Sequence, residues 1–407
     1  MYLTALDFGS SHLKAIIAET RNNRGLTILD VIKLPAAGIR KGEVVSVEEA
    51  LGGVAEILLR VKEFNKSAAK NIFIGIGGQG VKHQHSRGIV AVSRADNEIY
   101  EDDIERVVKA SQAVNIGPNR MILHTITKEF TVDGVAKISD PLGMIGNRLE
   151  VQSLVIDAFK ATVNNSLKCV EAAGGRVTGL VYNPLASARA VLTKSQRELG
   201  VVAIDIGAAT TSMAVYEEDQ LIAAAVFPVG ASNITNDLAV GLRCPPKIAE
   251  RIKFACGAAL AKEVSTKEKI ELHDFDPNLA SSVSRRFIAE IVEVRLAEIL
   301  ELVNNELKLI GKMGELPGGA VITGGGAKIP GIVPLSKQEL KLGTEIGTPN
   351  LSDWELVSGT GQSLDDPEFS VAAGLLLWAS GTSSADKSSL DRLSSGWLGR
   401  FMRQFLP

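Results

Sequence analysis

Short apolar runs broken by glycine-rich turns recur along the chain. The opening "YLTALDFGSSHLKAIIAE" joins two strand-forming runs through a tight Asp-Phe-Gly-Ser-Ser turn. About 200 residues later, "GVVAIDIGAATTSMAVYEE" repeats the plan with Asp-Ile-Gly and then Thr210 and Thr211. Each pattern predicts a β-hairpin. In "GGAVITGGGAKIPGI" an apolar strand, Ala320–Thr323, runs into Gly324, Gly325 and Gly326 and then a helix start. Between the hairpins, Asp102 and Asp103 open a helix whose inner face carries Ile104, Val107, Val108 and Ser111. Strand-like runs over 121–131 and 148–156 follow, so this stretch predicts a compact α+β subdomain of about 75 residues.

Two further stretches read as helices. "SSVSRRFIAEIVEVRLAEILELVNNELKLI" offers Phe287, Ile288, Ile291, Val294, Leu296, Ile299, Leu300 and Val303 as one apolar face. Arg285, Arg286, Glu290, Arg295 and Glu298 then lie mostly outside, which by itself describes a solvated helix face. At the end, Trp397, Leu398, Phe401, Met402, Phe405 and Leu406 fall at i, i+1, i+4, i+5, i+8 and i+9, flanked by Arg400, Arg403 and Gln404. That is one apolar stripe on a cationic helix, carried on a polar linker. Such a helix is too short to span a bilayer but can lie in its surface, with the arginines among anionic head groups. The competing arrangement is a terminal helix docked on its own domain.

The two hairpins carry chemistry suited to a nucleoside triphosphate. Gly9 and Gly207 let the backbone approach phosphate oxygens, and the backbone N–H groups and hydroxyls of Ser10, Ser11, Thr210 and Thr211 can donate to them. Lys14 can return an ammonium to the same phosphates, and Asp7 and Asp205 can hold Mg²⁺ mainly through water. One such hairpin alone is an ordinary turn. Two of them suggest a duplicated protein that clamps its ligand between its halves. The glycine run at 324–326 admits a sugar, base or phosphate to the backbone, but it is neither a Walker loop nor a Rossmann fingerprint.

Composition narrows the classes. The chain of 407 residues has room for several domains, and 45% hydrophobic with 22% charged residues is ordinary globular usage. A net charge of −3 argues against nucleic acid as a partner. Cys169, Cys244 and Cys256 are far apart and lack metal-ligand spacing, which suits a reducing compartment. The amino terminus does not read as a signal peptide, and the apolar run 371–379 is about half of a membrane span. The expected location is therefore cytoplasmic. His83 and His85 alternate on a strand, where one exposed face is a simpler reading than a metal site.

In this order the three glycine-rich stretches resemble the actin–Hsp70–hexokinase superfamily. "GLVYNPLASARAVL" and "PEFSVAAGLLLWA" look like its two connecting helices. "NITNDLAVGL" followed by "KIAERIKFACG" looks like the nucleotide-side helices of the second half. The resemblance implies that Glu250 and Lys253 meet the ribose or adenine, and the expected nucleotide set also takes in Gly230 and Lys328. Within the superfamily the chain resembles, nearly end to end, the bacterial cell-division family FtsA, and the α+β insert is the diagnostic piece. The implied fold is an α/β, two-lobed actin-like body of duplicated ribonuclease-H-like halves, with the insert subdomain and a carboxy-terminal amphipathic helix.

The expected divisions are 1–84 and 161–199 for the first lobe, with the insert at 85–160, and 200–231 for the start of the second lobe. A partner-binding subdomain over 232–303 follows, then a return over 304–379, a linker over 380–394 and the terminal helix over 395–407. By resemblance, Arg286, Arg295 and Glu298 contact the carboxy-terminal peptide of the tubulin-like FtsZ. The insert takes part in filament contacts with further copies of the chain and meets later division proteins. The tail targets anionic membrane from its cytoplasmic side, at the division site. Asn183 stands where actin has a water-orienting Gln, and Ala208 and Ala209 replace glycines of the common second loop. The expectation is therefore ATP and Mg²⁺ binding with at most weak ATPase activity. Two other readings remain, a small-molecule kinase of the same fold and a PilM-type assembly protein of a pilus machine.

Overall fold

The computed structural model describes residues 1–20, 25–279, 281–352, 354–357 and 364–381. The expected linker and terminal helix lie outside these, except that Ser380 and Gly381 close the helix Ser370–Gly381.

Two sheets repeat one plan. In the first lobe the strands Val177–Tyr182, Ile72–Ile76, Tyr2–Phe8, His12–Thr20 and Leu26–Pro35 lie side by side in that order. In the second lobe the order is Thr344–Ile346, Ala320–Thr323, Val201–Ile206, Thr211–Glu217 and Gln220–Phe227. In both, the first three strands pair parallel and the last two pairings are antiparallel. Trp354–Leu356 extends the first sheet from the far end of the chain, parallel to Leu26–Pro35. The central strands are buried almost throughout, as parallel strands covered on both faces must be.

The halves meet through two packed helices, Asn183–Val191 and Ser370–Gly381, whose buried faces share one core with both sheets. Their contact is very close at Gly374, where an added Cβ would lie 1.8 Å from the Ala186 carbonyl oxygen. Only glycine permits that approach.

The insert is a four-stranded antiparallel sheet, Lys82–Ala91, Arg148–Phe159, Arg120–Val132 and Val135–Ile138, under the helix Glu101–Ser111. Asp103 starts the helix by accepting the Tyr100 N–H at 3.1 Å. Ile104, Val107, Phe130, Leu149 and Val151 fill the space between helix and sheet. Each such side chain stabilises the fold by roughly 1.5–3 kcal/mol through burial. The edge strand begins at Lys82, opposite Asp157, so it crosses the expected boundary at 85. The expected boundary at 303 likewise falls inside one continuous helix, Arg285–Leu309.

That long helix buries Ile288, Ala289, Val292, Leu296, Ile299, Leu300, Val303 and Leu307. Phe287 and Val294, expected on the same face, are 42% and 60% exposed. The buried positions step by three and four residues along one side of the helix, and at helical spacing these two fall on the opposite side. Among the described residues no helix is long and apolar enough to cross a membrane.

Candidate nucleotide-binding site

The repeated hairpins face each other across a cleft of about 300 Å³, within the range of small-molecule sites. Asp7, Gly9, Ser10, Ser11 and Lys14 line it from the first lobe, and Asp205, Gly207 and Thr210 from the second. The first turn must be tight, because a Cβ on Gly9 would sit 2.5 Å from the His12 carbonyl oxygen. Gly324 turns the chain at φ +81°, where a side chain would meet the Asp205 carboxylate at 2.2 Å. Gly325, Gly326 and Lys328 continue along the wall.

The charges converge. Lys14 Nζ lies 3.3 Å from the Asp7 carboxylate and donates to the Glu368 carbonyl at 2.7 Å. Asp205 is half-buried and accepts from the Ser370 hydroxyl at 3.3 Å. Burial pushes its carboxyl up to about 6, and nearby Asp7 adds to the rise, while Lys14 and the Ser370 hydrogen bond oppose it. Lys328 pairs with Asp366 and stands 3.7 Å from Glu368, whose carboxylate also takes Lys33 at 2.7 Å. Phosphates entering the cleft would compete with these carboxylates for lysines already in place.

At the far side, Glu250 pairs with Lys253 at 2.7 Å and with the Thr235 hydroxyl. Lys253 also donates to the Ala231 carbonyl at 3.2 Å and to Thr235 at 2.9 Å. The ring of Phe254, 75% exposed and on the cleft wall, lies 5.2 Å from the Lys253 ammonium. The amide of Asn183 is wedged at the cleft between Gly75 and Gly77, where added Cβ atoms would come within 2.3 and 2.8 Å of it. Its Oδ1 is buried with no hydrogen-bond partner, and such an acceptor calls for a donor from a ligand or water.

Two expected members stand elsewhere. Thr211 is fully buried and its hydroxyl donates to the Val229 carbonyl at 2.9 Å, because side chains alternate along a strand and its neighbour Thr210 takes the cleft side. Gly230 supports the second loop from behind: a Cβ there would meet the Gly207 carbonyl oxygen at 2.6 Å. The next two N–H groups, of Ala231 and Ser232, donate to the Gly207 and Ala208 carbonyls. Ala208 and Ala209 sit in the loop without positive φ, which removes the steric objection to replacing glycine.

Residues missed from sequence include Gly77 and Gly78, which follow the strand Ile72–Ile76 and line the cleft. They occupy the place in the first sheet that Gly324–Gly326 occupy in the second. Strand followed by paired glycines, "IFIGIGG" beside "AVITGGG", was the available signal.

Away from the cleft, Arg295 grips Asp237 of the helix Ala231–Leu242 through two nitrogens, at 2.6 and 3.0 Å, and takes Glu298 at 2.6 Å. Arg286 stands 3.5 Å from Glu290. Around them Val240, Phe287 and Val294 are exposed, with Val240 at 80%. Sequence reasoning brought Arg295 and Glu298 together but missed Asp237, which lies on another helix.

Two duplicated lobes joined by paired helices, with facing hairpins and a glycine wall around one cleft, define an actin-like protein. Solved structures agree on the fold. A "PilM-PilN type IV pilus biogenesis complex" matches at TM-score 0.66 and 17% identity, covering 93% of this chain and 98% of that one. MreB5 of Spiroplasma citri bound to ADP matches at TM-score 0.54 and 14% identity, covering 93% and 95%. The chain belongs to the FtsA family of cell division proteins: it is 34% identical to "Cell division protein FtsA" of Bacillus subtilis over 375 residues, 92% of this chain and 82% of that protein. The profile described as "Cell division protein FtsA" matches residues 202–374, and "SHS2 domain inserted in FTSA" matches 78–157. The chain is thus an actin-like division protein.

Proposed function

We propose that this protein binds ATP with Mg²⁺ in the interlobe cleft, polymerises, and tethers FtsZ filaments to the inner face of the cytoplasmic membrane at the division site. The observation that carries the nucleotide reading is the convergence of both hairpins, Lys14 and the unpartnered Asn183 amide on one cleft. The residues fit the group. Backbone N–H donors and the hydroxyls of Ser10, Ser11 and Thr210 suit phosphate oxygens, and Lys14 and Lys328 suit their charge. Asp7 and Asp205 suit a hydrated Mg²⁺, which when bound would neutralise phosphate charge. Glu250, Lys253 and Phe254 would meet the ribose and base, with Gly324–Gly326 beside them. MreB5 of Spiroplasma citri, which shares the fold, has been solved bound to AMPPNP, which favours a nucleotide in this cleft by analogy of fold.

Asn183 would orient a water near the terminal phosphate. Its amide is one carbon shorter than a glutamine's, so hydrolysis should be slow. The FtsZ carboxy-terminal peptide would dock near Arg286, Arg295 and Glu298, where exposed Phe287 and Val294 offer apolar contact. The insert would serve copies of the same chain and later division proteins. Residues 395–407 would lie in the anionic membrane surface, and polymerisation would multiply a weak single anchor.

Sedimentation with anionic liposomes, ATP and Mg²⁺ tests the tether. The full chain should carry a fluorescent FtsZ carboxy-terminal peptide into the pellet, and a chain ending at residue 394 should leave it in solution. Equal behaviour of the two chains would remove the tail from the account.

A further inference from the structure

Besides its apolar packing on the first lobe, the insert sends one polar side chain, His124, to the connecting helices beside the cleft. It lies on the strand Arg120–Val132, 5% exposed, beside a break in register: Ile156 pairs with His124, but Asp157 pairs with Ile122. Such a bulge re-aims neighbouring side chains. The imidazole leaves the insert and meets both connecting helices. Its Nε2 accepts the backbone N–H of Tyr182 at 3.0 Å, and its ring stands 5.4 Å from that of Trp378 on the helix Ser370–Gly381. Tyr182 is the cap residue of the helix Asn183–Val191, so the next peptide carries the Asn183 amide into the cleft.

We propose that His124 is a positioning residue through which the insert holds Asn183 in the nucleotide cleft. This rests on the nucleotide reading above. The Tyr182 N–H sits in the interior, where losing its acceptor would leave a buried donor unpaired. The peptide would then turn toward another partner and carry Asn183 with it. Tight packing between Gly75 and Gly77 leaves that amide little freedom of its own, so its placement follows the backbone. Burial lowers the imidazole to about 4, so near neutral pH it is uncharged and Nε2 remains an acceptor, with the proton on Nδ1. A leucine would fill the same interior space without an acceptor, and a histidine there has its use in the hydrogen bond.

The test is a double-mutant cycle in the full chain, with fluorescence titration of AMPPNP and of ADP in Mg²⁺. His124→Leu should weaken AMPPNP about fivefold and leave ADP unchanged. His124→Gln, which can present an oxygen near the same point, should restore most of the loss. In an Asn183→Ala background His124→Leu should have no further effect. Hydrogen exchange at the Tyr182 amide should quicken in His124→Leu and slow again in His124→Gln. Should His124→Leu not fold, His124→Asn, too short to reach the N–H, takes its place with the same expectations. Equal losses for both nucleotides, a loss that persists without Asn183, or no rescue by Gln would overturn the proposal. A wild-type chain that binds neither nucleotide would instead sink the nucleotide reading, and this role with it.

Discussion

The two hairpins share one backbone and differ in charge. In the first lobe the register sets Lys14 opposite Asp7, and in the second it sets Ser212 opposite Asp205. Asp7 therefore has an ammonium on its own hairpin, whereas Asp205 has the Ser370 hydroxyl and a carboxyl raised to about 6. The loops are also anchored differently. Ser10 accepts the Gly42 N–H at 2.9 Å through its side chain, while Gly207 and Ala208 accept the start of a helix through their carbonyls. Duplication preserved the cradle and left the copies unequal: with a nucleotide bound as proposed, the first loop would bring positive charge to phosphate, and the second a carboxylate that gains most from a cation.

The largest effect should come from breaking the charged side. Lys14→Ala should weaken ATP roughly 10- to 100-fold by calorimetry, since a hydrogen bond from a charged donor contributes about 1.5–3 kcal/mol. A loss below about threefold would mean that the two loops are not divided in this way.

Next come the paired threonines of the second loop, which separate binding from folding. Thr211→Val should lower unfolding free energy by about 1–3 kcal/mol in urea titration, because the Val229 carbonyl loses its donor, and ATP affinity should stay the same. Thr210→Ala should do the reverse, weakening ATP about fivefold while stability moves by less than about 0.5 kcal/mol. If both changes act on affinity alike, the strand alternation assigned to these residues is wrong.

A smaller effect appears in pH. The Asp205 carboxyl is raised from 3.8 to about 6, so its neutral form favours the folded state. That contribution is fully present below the unfolded value and is lost as pH rises through the folded one. Thermal unfolding without nucleotide or metal should therefore show the Asp205 contribution falling between about pH 4 and about pH 6. Asp205→Asn should flatten that slope, and Mg²⁺ with ATP should reverse it in the wild type. Smallest of all, Phe254→Ala should weaken ATP about threefold with little change in melting temperature, as expected for a ring that is mostly exposed at the cleft wall.

What could be read in the sequence was local. Period-2 runs around a glycine turn defined both hairpins, and the strand Ala320–Thr323 and the insert helix came from the same patterning. What escaped depended on partners distant in sequence. Thr210 and Thr211 are equivalent on paper until the strand begins at Thr211 and alternation separates them. Gly77 and Gly78 gain meaning only once their strand occupies the same place in the first sheet as Ala320–Thr323 in the second. Phe254 was hidden because an aromatic residue on an amphipathic helix reads as core until the cleft exposes it. Phe287 and Val294 failed for a related reason: with partly buried Ile291 they make a second apolar side opposite the buried stripe, and only the packing shows which side faces the core.

The most direct test of the account is calorimetric titration of the full chain with ATP, with and without Mg²⁺, in wild type and Asp205→Asn. A single site per chain, strengthened by Mg²⁺ in the wild type and insensitive to Mg²⁺ in the variant, is the predicted result. No binding in the wild type, or the same Mg²⁺ response in both, would contradict a cleft built from two unequal copies of one loop.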